Sequence, residues 1–403
     1  MQEDPSAKAP RKGMKETIRH FTPSWFAVCM GTGIVAILLH IFPYGTNNAF
    51  LQGLALGFLV LNIVLFIAFF CITLARYIMF PSIWKLMVVH PTQSLFIGTF
   101  PMGLVTIISG SAAILYQGRK FGGEPFLWLL WALWWFDVVV SAMTAIGHVH
   151  MIFTRQTHTM ENMTAAWLLP VVPLIVASSC GGVLSQQLLA ISISHALITT
   201  VVSISCLIIG LGLALMIITI YMHRLIVHGF PPKGLMVSVL LPLGPLGQGG
   251  YAALLLGDNL SRLLPITGYT SLILSSPMSG TMFQLVLFSV AFGLWSFGIW
   301  WLLGSAIALA DAAAHFTIPF GMPWWGLIFP MGVYAVLTLQ LGTELDSTFF
   351  RVFGSVLACV VFIVWSVVAY RTVKRAIEGT MFHAPCLDNT TMPTYNTEQT
   401  QQP

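Results

Sequence analysis

The residues that could do chemistry are few, and most of them stand in apolar surroundings. His148, His150 and His158 fall within one eleven-residue stretch, and grouped imidazoles are common ligands of haem and metal ions. His148 and His150 are two residues apart, however, so on a helix they face different sides. No matching histidine pair recurs in another apolar stretch. A membrane oxidoreductase is therefore a distant alternative, no enzyme is expected, and neither a metal nor a cofactor is implied. Asp137 and Asp311 lie within long apolar runs, where a carboxylate is costly and marks a functional candidate by default. Such a group could carry a coupling proton. A structural role is favoured for Asp137, bonded to a neighbouring hydroxyl, and Asp311 has His315 one turn away as a partner. Six cysteines (Cys29, Cys71, Cys180, Cys206, Cys359 and Cys386) are scattered without a CxxC pair. Neither a disulfide framework nor a zinc site follows from that spacing. No GxxxxGK[ST] motif occurs, so nothing resembles an ATPase.

The elements that must hold these residues are membrane helices. Apolar residues make up 57% of the 403 and charged residues only 7%, against about 25% charged in soluble domains. Lipid must be the solvent for most of this surface. A crossing helix needs about 20 mostly apolar residues. Such stretches run over 22–43, 49–76, 94–116, 124–152, 162–182, 188–222, 234–256, 278–312, 323–342 and 349–372. The fold class is an all-α polytopic membrane protein with ten transmembrane helices. The chain divides into a cytoplasmic tail over 1–20, a transmembrane domain over 21–376 and a cytoplasmic tail over 377–403. That last tail, rich in Thr and Gln, reads as disordered. The segment 263–276 is apolar but broken by Pro265 and Gly268. It reads as an extracellular loop, with a re-entrant piece as the alternative.

Charge placement orients the chain. With the N-terminus inside, thirteen of the seventeen Lys and Arg residues face the cytoplasm, and only Arg119, Lys120, Arg262 and Arg351 face out. That asymmetry obeys the positive-inside rule and puts both termini in the cytoplasm. No basic patch with interleaved aromatics supports nucleic-acid binding, and no cleavable signal pattern opens the chain. Among the glycosylation sequons, Asn259 falls on the outer side, whereas Asn162 and Asn389 fall inside.

The spans alternate in character. Odd spans are rich in Pro and Gly, and even ones are longer and more uniformly apolar. The third reads Gly98-Thr-Phe-Pro-Met-Gly103 and the ninth Leu327-Ile-Phe-Pro-Met-Gly332. The first carries Gly31 and Gly33, the fifth Pro170 and Pro173, and the seventh Pro242 and Pro245. Taking Met30, Pro101, Pro170, Pro242 and Pro330 as markers, the steps are 71, 69, 72 and 88 residues. Such a period is a two-helix hairpin used five times. Proline kinks a helix and frees polar groups, which in lipid are tolerated only against protein or a water-filled path. The pattern predicts five kinked helices around a central pore, wrapped by five straight ones.

At His20-Phe-Thr-Pro-Ser-Trp-Phe26 with Met30-Gly-Thr-Gly33, Met163-Thr-Ala-Ala-Trp-Leu-Leu-Pro170, Pro242–Gly250 and Trp324–Gly332, the chain resembles the tellurite-resistance/dicarboxylate transporter family. That family includes the plant guard-cell slow anion channels, and the fungal sulphite efflux branch is the most similar part of it. The resemblance implies a homotrimer in the plasma membrane, with a pore in each subunit that passes small inorganic anions such as sulphite. It also implies a phenylalanine plug beside the proline of the ninth span, which is Phe329 here. Phe100 holds the same place in the third-span copy. A hydrophobic constriction of this kind blocks ions by dewetting.

No Lys or Arg lies deep within the spans, so the pore is expected to bind anions weakly through backbone dipoles and through Thr32, Ser109, Ser178, Ser179 and Gln248. Weak sites suit conduction, and a basic cytoplasmic rim would gather anions for export. A proton-coupled malate carrier is the runner-up, although its substrate would favour basic residues in the pore. A gated chloride or nitrate channel is third, because short tails leave little room for a regulatory domain.

Overall fold

The computed structural model describes residues 13–45, 48–267, 276 and 278–388. The Lys8, Arg11 and Lys12 cations, the Asn389 sequon and most of the segment after Thr267 lie outside the described residues. Those described are helical and loop structure without a strand. Ten principal helices follow the sequence order. They are α1 (Phe26–His40), α2 (Ala49–Met79), α3 (Thr99–Gly110), α4 (Gly123–Arg155), α5 (Val172–Leu188), α6 (Ile193–His228), α7 (Leu243–Leu263), α8 (Ser279–His315), α9 (Ile328–Glu344) and α10 (Thr348–Ile377).

Among the described residues, nine helical stretches are long and apolar enough to cross a membrane. The exception is α5, which has 17 residues and lies several positions later than the expected 162–182. The cause is local. Pro170 and Pro173 delay regular α-geometry, and the residues expected to begin the span form a separate 3-10 turn, Ala165–Leu168.

Burial divides the helices into two sets. In the central apolar stretches of α1, α3, α7 and α9, between 72 and 89% of residues are buried. In α2, α4, α6, α8 and α10 the share falls to 22–39%. Nearly all of α5 is buried as well. The odd helices pack side by side as a closed ring in the order α1, α3, α5, α7, α9 and back to α1. Each even helix lies outside, against the odd helices before and after it in the chain. The last, α10, returns to α1, where Trp365 Nε1 donates to Thr32 Oγ1 at 3.1 Å and the Trp365 ring meets Phe58 edge-on. Glycine makes such a tight ring possible. A Cβ on Gly247 of α7 would sit 2.7 Å from the Tyr334 nitrogen of α9, closer than real side chains come to backbone.

Every odd helix is entered through a tighter 3-10 turn. These are Pro23–Trp25, Ser94–Gly98, Ala165–Leu168, Lys233–Leu240 and Met322–Leu327. The expected mid-helix kinks are therefore corrected. Pro101, Pro173, Pro245 and Pro330 occupy the first turns of α-helices, with Pro170 and Pro242 just ahead of them. Proline is tolerated there because the first amides have no intrahelical acceptor. Gly31 and Gly33 lie inside an unbroken α1. Their bare Cα atoms accommodate Trp325 and the Thr106–Asn62 pair respectively.

The first and last described segments meet. The Ala384 amide donates to His20 Nδ1 at 3.2 Å, and Phe382 stacks on Trp25 at 5.2 Å. Buried Arg76 reaches the Arg19 carbonyl at 3.0 Å and Cys386 Sγ at 3.9 Å. Residues 381–388 are thus packed on the bundle, contrary to the disordered tail expected from 377 onward; apolar Met381, Phe382 and Ala384 supply the anchor.

Candidate anion pore

Two cavities lie in the ring of odd helices. The larger, about 790 Å³, opens at the end away from the termini. It is lined by Ile34, Ile37 and His40 of α1; Val105, Thr106 and Ser109 of α3; and Val176, Ser179, Val183 and Gln186 of α5. Gln248 and Tyr251 of α7 and Phe329 and Val336 of α9 also line it, with Gln52 and Arg119 at the mouth. The smaller, about 60 Å³, lies toward the termini among the first turns of the same five helices. Ala27, Met30, Thr99, Met102, Val172, Gly244, Pro245 and Pro330 face it. Phe329, 4% exposed, belongs to both walls. The wide compartment and the narrow one share this apolar ring.

The electrostatics follow from direction. All five odd helices run from the termini toward the far end, so their positive dipole ends, each worth about half a unit charge, gather around the narrow cavity. Among the described residues its lining carries no charged side chain. In the wide cavity Gln248 Nε2 donates to Ser179 Oγ, and Thr106 Oγ1 accepts from Asn62 Nδ2 at 3.0 Å. At the mouth His40 Nδ1 donates to Gln52 Oε1 at 2.7 Å, Gln52 Nε2 returns to the His40 carbonyl at 3.1 Å, and Arg119 Nη2 reaches the Gln52 carbonyl at 3.1 Å. Arg119 is the one cation on either wall among the described residues. The arrangement offers an anion dipoles and neutral donors, with a single fixed charge at the rim.

The sequence candidates divide accordingly. Ser109, Ser179, Gln248 and Phe329 line the wide cavity, while Pro245 and Pro330 line the narrow one. Pro101, Pro170, Pro173 and Pro242 face neither. Thr32 donates to the Val28 carbonyl at 2.8 Å and accepts from Trp365, so it faces the outer helix α10. Ser178 donates to the Ser203 carbonyl of α6 at 2.7 Å. Phe100 is also corrected, because it packs among Phe26, Phe66 and Phe70 outside both cavities.

Asp137 is fully buried between α4 and its neighbours, with Ser141 Oγ donating to Oδ2 at 3.2 Å, and it lines neither cavity. Asp311 is exposed and pairs with His315 at 3.4 Å. His148, His150 and His158 do not converge: His148 is buried, His150 is exposed, and His158 pairs with Gln156 at 2.8 Å. The basic inner rim is rearranged as well. Arg76 and Arg224 are buried on the Arg19, Gly229 and Glu161 carbonyls, and Arg375 reaches the Phe320 carbonyl at 2.7 Å. These cations close loops. Asn259 is 2% exposed inside α7 and donates to the Gly182 carbonyl at 2.9 Å, which removes it as a glycosylation site. Sequence reading missed His40, Gln52 and Gln186, because polar residues at span ends look like ordinary interface residues, and Thr106 and Tyr251, which stand singly inside apolar spans.

Comparison with known proteins agrees with this architecture. Residues 20–373 match the SLAC1 family model, described as voltage-dependent anion channel. Proteins named sulfite efflux pump SSU1 from Trichophyton rubrum and Arthroderma benhamiae are each 36% identical over 380 residues, covering 94% of this chain and 97% of theirs. The malic acid transport protein of Schizosaccharomyces pombe is 26% identical over 377 residues, covering 92% of this chain and 82% of its own. A multi-pass bundle with a ring of parallel inner helices, and a family match over nearly its whole length, make this chain a membrane anion transporter of the SLAC1 family.

Proposed function

We propose that this protein exports sulphite and bisulphite across the plasma membrane, through a pore in each subunit of a homotrimer. Both termini are cytoplasmic in this reading. The contact of His20 with Ala384 at one end of the bundle supports an even number of crossings, with α5 and its 3-10 lead-in as the tenth. The narrow cavity then faces the cytoplasm and the wide one faces outward. A cell's negative interior drives either oxyanion out without a further energy source.

The observation that carries this reading is the position of Phe329 in the wall of both cavities. A bulky apolar ring across a passage lined by neutral donors is a gate that dewets the path when closed. The passage holds too little fixed charge to trap its cargo, which suits conduction. The malate alternative rests on one relative's name, and a dicarboxylate would call for more than the lone rim cation Arg119. The test is anion flux in reconstituted vesicles, comparing sulphite, malate, nitrate and chloride with and without a pH gradient. Sulphite flux should exceed malate flux and follow membrane potential alone. A protein that moves none of these anions at any potential, or prefers malate only under a proton gradient, refutes the proposal.

A further inference from the structure

The mouth of the wide cavity holds a hydrogen-bond acceptor with nothing to accept. His40 ends α1, is half-buried and lines the cavity. Gln52 clamps it twice: its Nε2 donates to the His40 carbonyl at 3.1 Å, and its Oε1 meets the ring Nδ1 at 2.7 Å. The first bond fixes which end of the amide is the oxygen, so the second must be donated by the ring. The neutral imidazole therefore keeps its proton on Nδ1 and presents a bare lone pair at Nε2. Nε2 meets no partner among the described residues and is not sealed from solvent. Gly118 lines the same cavity, and a Cβ there would come 3.4 Å from the adjacent Cε1, so glycine keeps this edge of the ring clear.

The same glutamine ties down the cation of the wall. Arg119 Nη2 donates to the Gln52 carbonyl at 3.1 Å, and its other guanidinium nitrogens have no partner among the described residues. Arg119 follows a π-turn over Ser111–Gln117, a winding often found at functional sites. On α5, Gln186 Nε2 reaches the Asp258 carboxylate at 3.1 Å, which Arg262 also holds at 3.0 Å, so that charge is matched within the protein. The five odd helices turn their negative ends toward this compartment, the reverse of the narrow one. A bare anion thus meets one cation, a set of unfavourable dipoles and a lone pair that repels it.

We propose that this mouth is an exit site for an oxyanion in its singly protonated form, whose O–H donates to His40 Nε2 while its other oxygens accept from Arg119. The identification of that anion as bisulphite rests on the proposal of sulphite export; the selection of a protonated form does not. Bisulphite brings one donor and a single charge, whereas sulphite brings no donor and a double charge. Chloride, nitrate and sulphate have no proton to give at neutral pH, and each would leave Nε2 facing its own lone pairs. His40 is thus a specificity residue, and Gln52 positions it by holding the tautomer.

The experiment reads binding and not flux. The full chain, purified in detergent at pH 7, is loaded with radiolabelled sulphite, and unlabelled anions displace it at matched ionic strength. Selenite, which keeps one proton at this pH, should displace it about tenfold more effectively than sulphate or nitrate, the worth of one hydrogen bond. His40→Phe keeps a ring but loses the acceptor, and should erase that preference. His40→Arg exchanges the acceptor for donors, and should turn the preference toward sulphate. Gln52→Leu frees the tautomer while keeping the backbone carbonyl that holds Arg119, and should reduce the preference part of the way. Size-exclusion profiles confirm that each variant is folded. Equal displacement by selenite and sulphate in the parent, no displaceable sulphite at all, or an unchanged preference in folded His40→Phe overturns the proposal. A parent that shows the preference yet passes no sulphite in vesicles would overturn the export proposal and leave this site standing.

Discussion

Replacing Phe329 with Ala should open the passage, and the size of the effect can be worked from the packing of the ring. Phe329 is 4% exposed and stands in the walls of both the 790 Å³ compartment and the 60 Å³ one. To leave its seat, the ring must give up most of the stabilisation of a buried phenylalanine, about 1.5–3 kcal/mol. An open state lying that far above the closed one is populated to between about 0.6 and 8%. Deleting the ring removes this restriction, so flux should rise about 10- to 150-fold. Phe329→Leu, which keeps part of the apolar bulk, should give a smaller rise. The measurement is sulphite flux from vesicles containing matched amounts of protein, with size-exclusion profiles confirming that each variant is folded. Phe100→Ala is the control, since its ring packs on Phe26, Phe66 and Phe70 outside both cavities, and its flux should match the parent. Unchanged flux in a folded Phe329→Ala protein, or an equal rise in Phe100→Ala, refutes the gate.

Other consequences are as direct. Arg119→Gln removes the rim cation and should lower anion flux a few-fold at low ionic strength, with the difference vanishing as salt shortens the Debye length to about 3 Å near 1 M. A deficit that persists at high salt would mean that Arg119 acts through its bond to the Gln52 carbonyl. Asp137→Asn retains the Ser141 contact and lies off both cavities, so flux and its dependence on pH should be unaltered. Loss of that pH dependence would restore Asp137 as a proton carrier. Gly247→Ala drives a Cβ against the Tyr334 backbone and should cost about 1–3 kcal/mol of stability, the usual price of overpacking, seen as a lower thermal midpoint in detergent.

The two shells of the bundle could be read from the amino-acid order, but the rotation of each inner helix could not. An outer helix touches lipid on one side and protein on the other, and it keeps an apolar, Pro-free surface over 30 or more residues, as α2, α6 and α8 do. An inner helix is buried all round, so no polar stripe records which side meets the pore. Thr32 and Ser178 show the consequence: each is a hydroxyl on an inner helix, and each faces an outer neighbour. The repeated Phe-Pro-Met-Gly makes the same point. Both copies put Phe at the second position of their α-helix. Two residues earlier, Gly98 presses on the Leu169 carbonyl, where α9 has bulky Leu327. The helices therefore meet their neighbours on different sides, and identical tetrapeptides place one phenylalanine in the passage and the other against α2. Wall residues such as Thr106, His40 and Gln52 belong to contacts between spans that are 12 to 44 residues apart, and no local pattern announces such a contact.

Because Ala384 is bonded to His20 and α10 packs on α1, the subunit has no seam. Its start and finish are arbitrary points on a five-membered cycle. A gene rewritten to begin at a later hairpin, with the segment at Ala384 joined to the one at His20 by a short linker, should yield the same conduit, since tolerance of rearranged order is common where the joined segments adjoin. The barrel would then be a property of the repeating unit, and the natural order of the units only one way of reading it out.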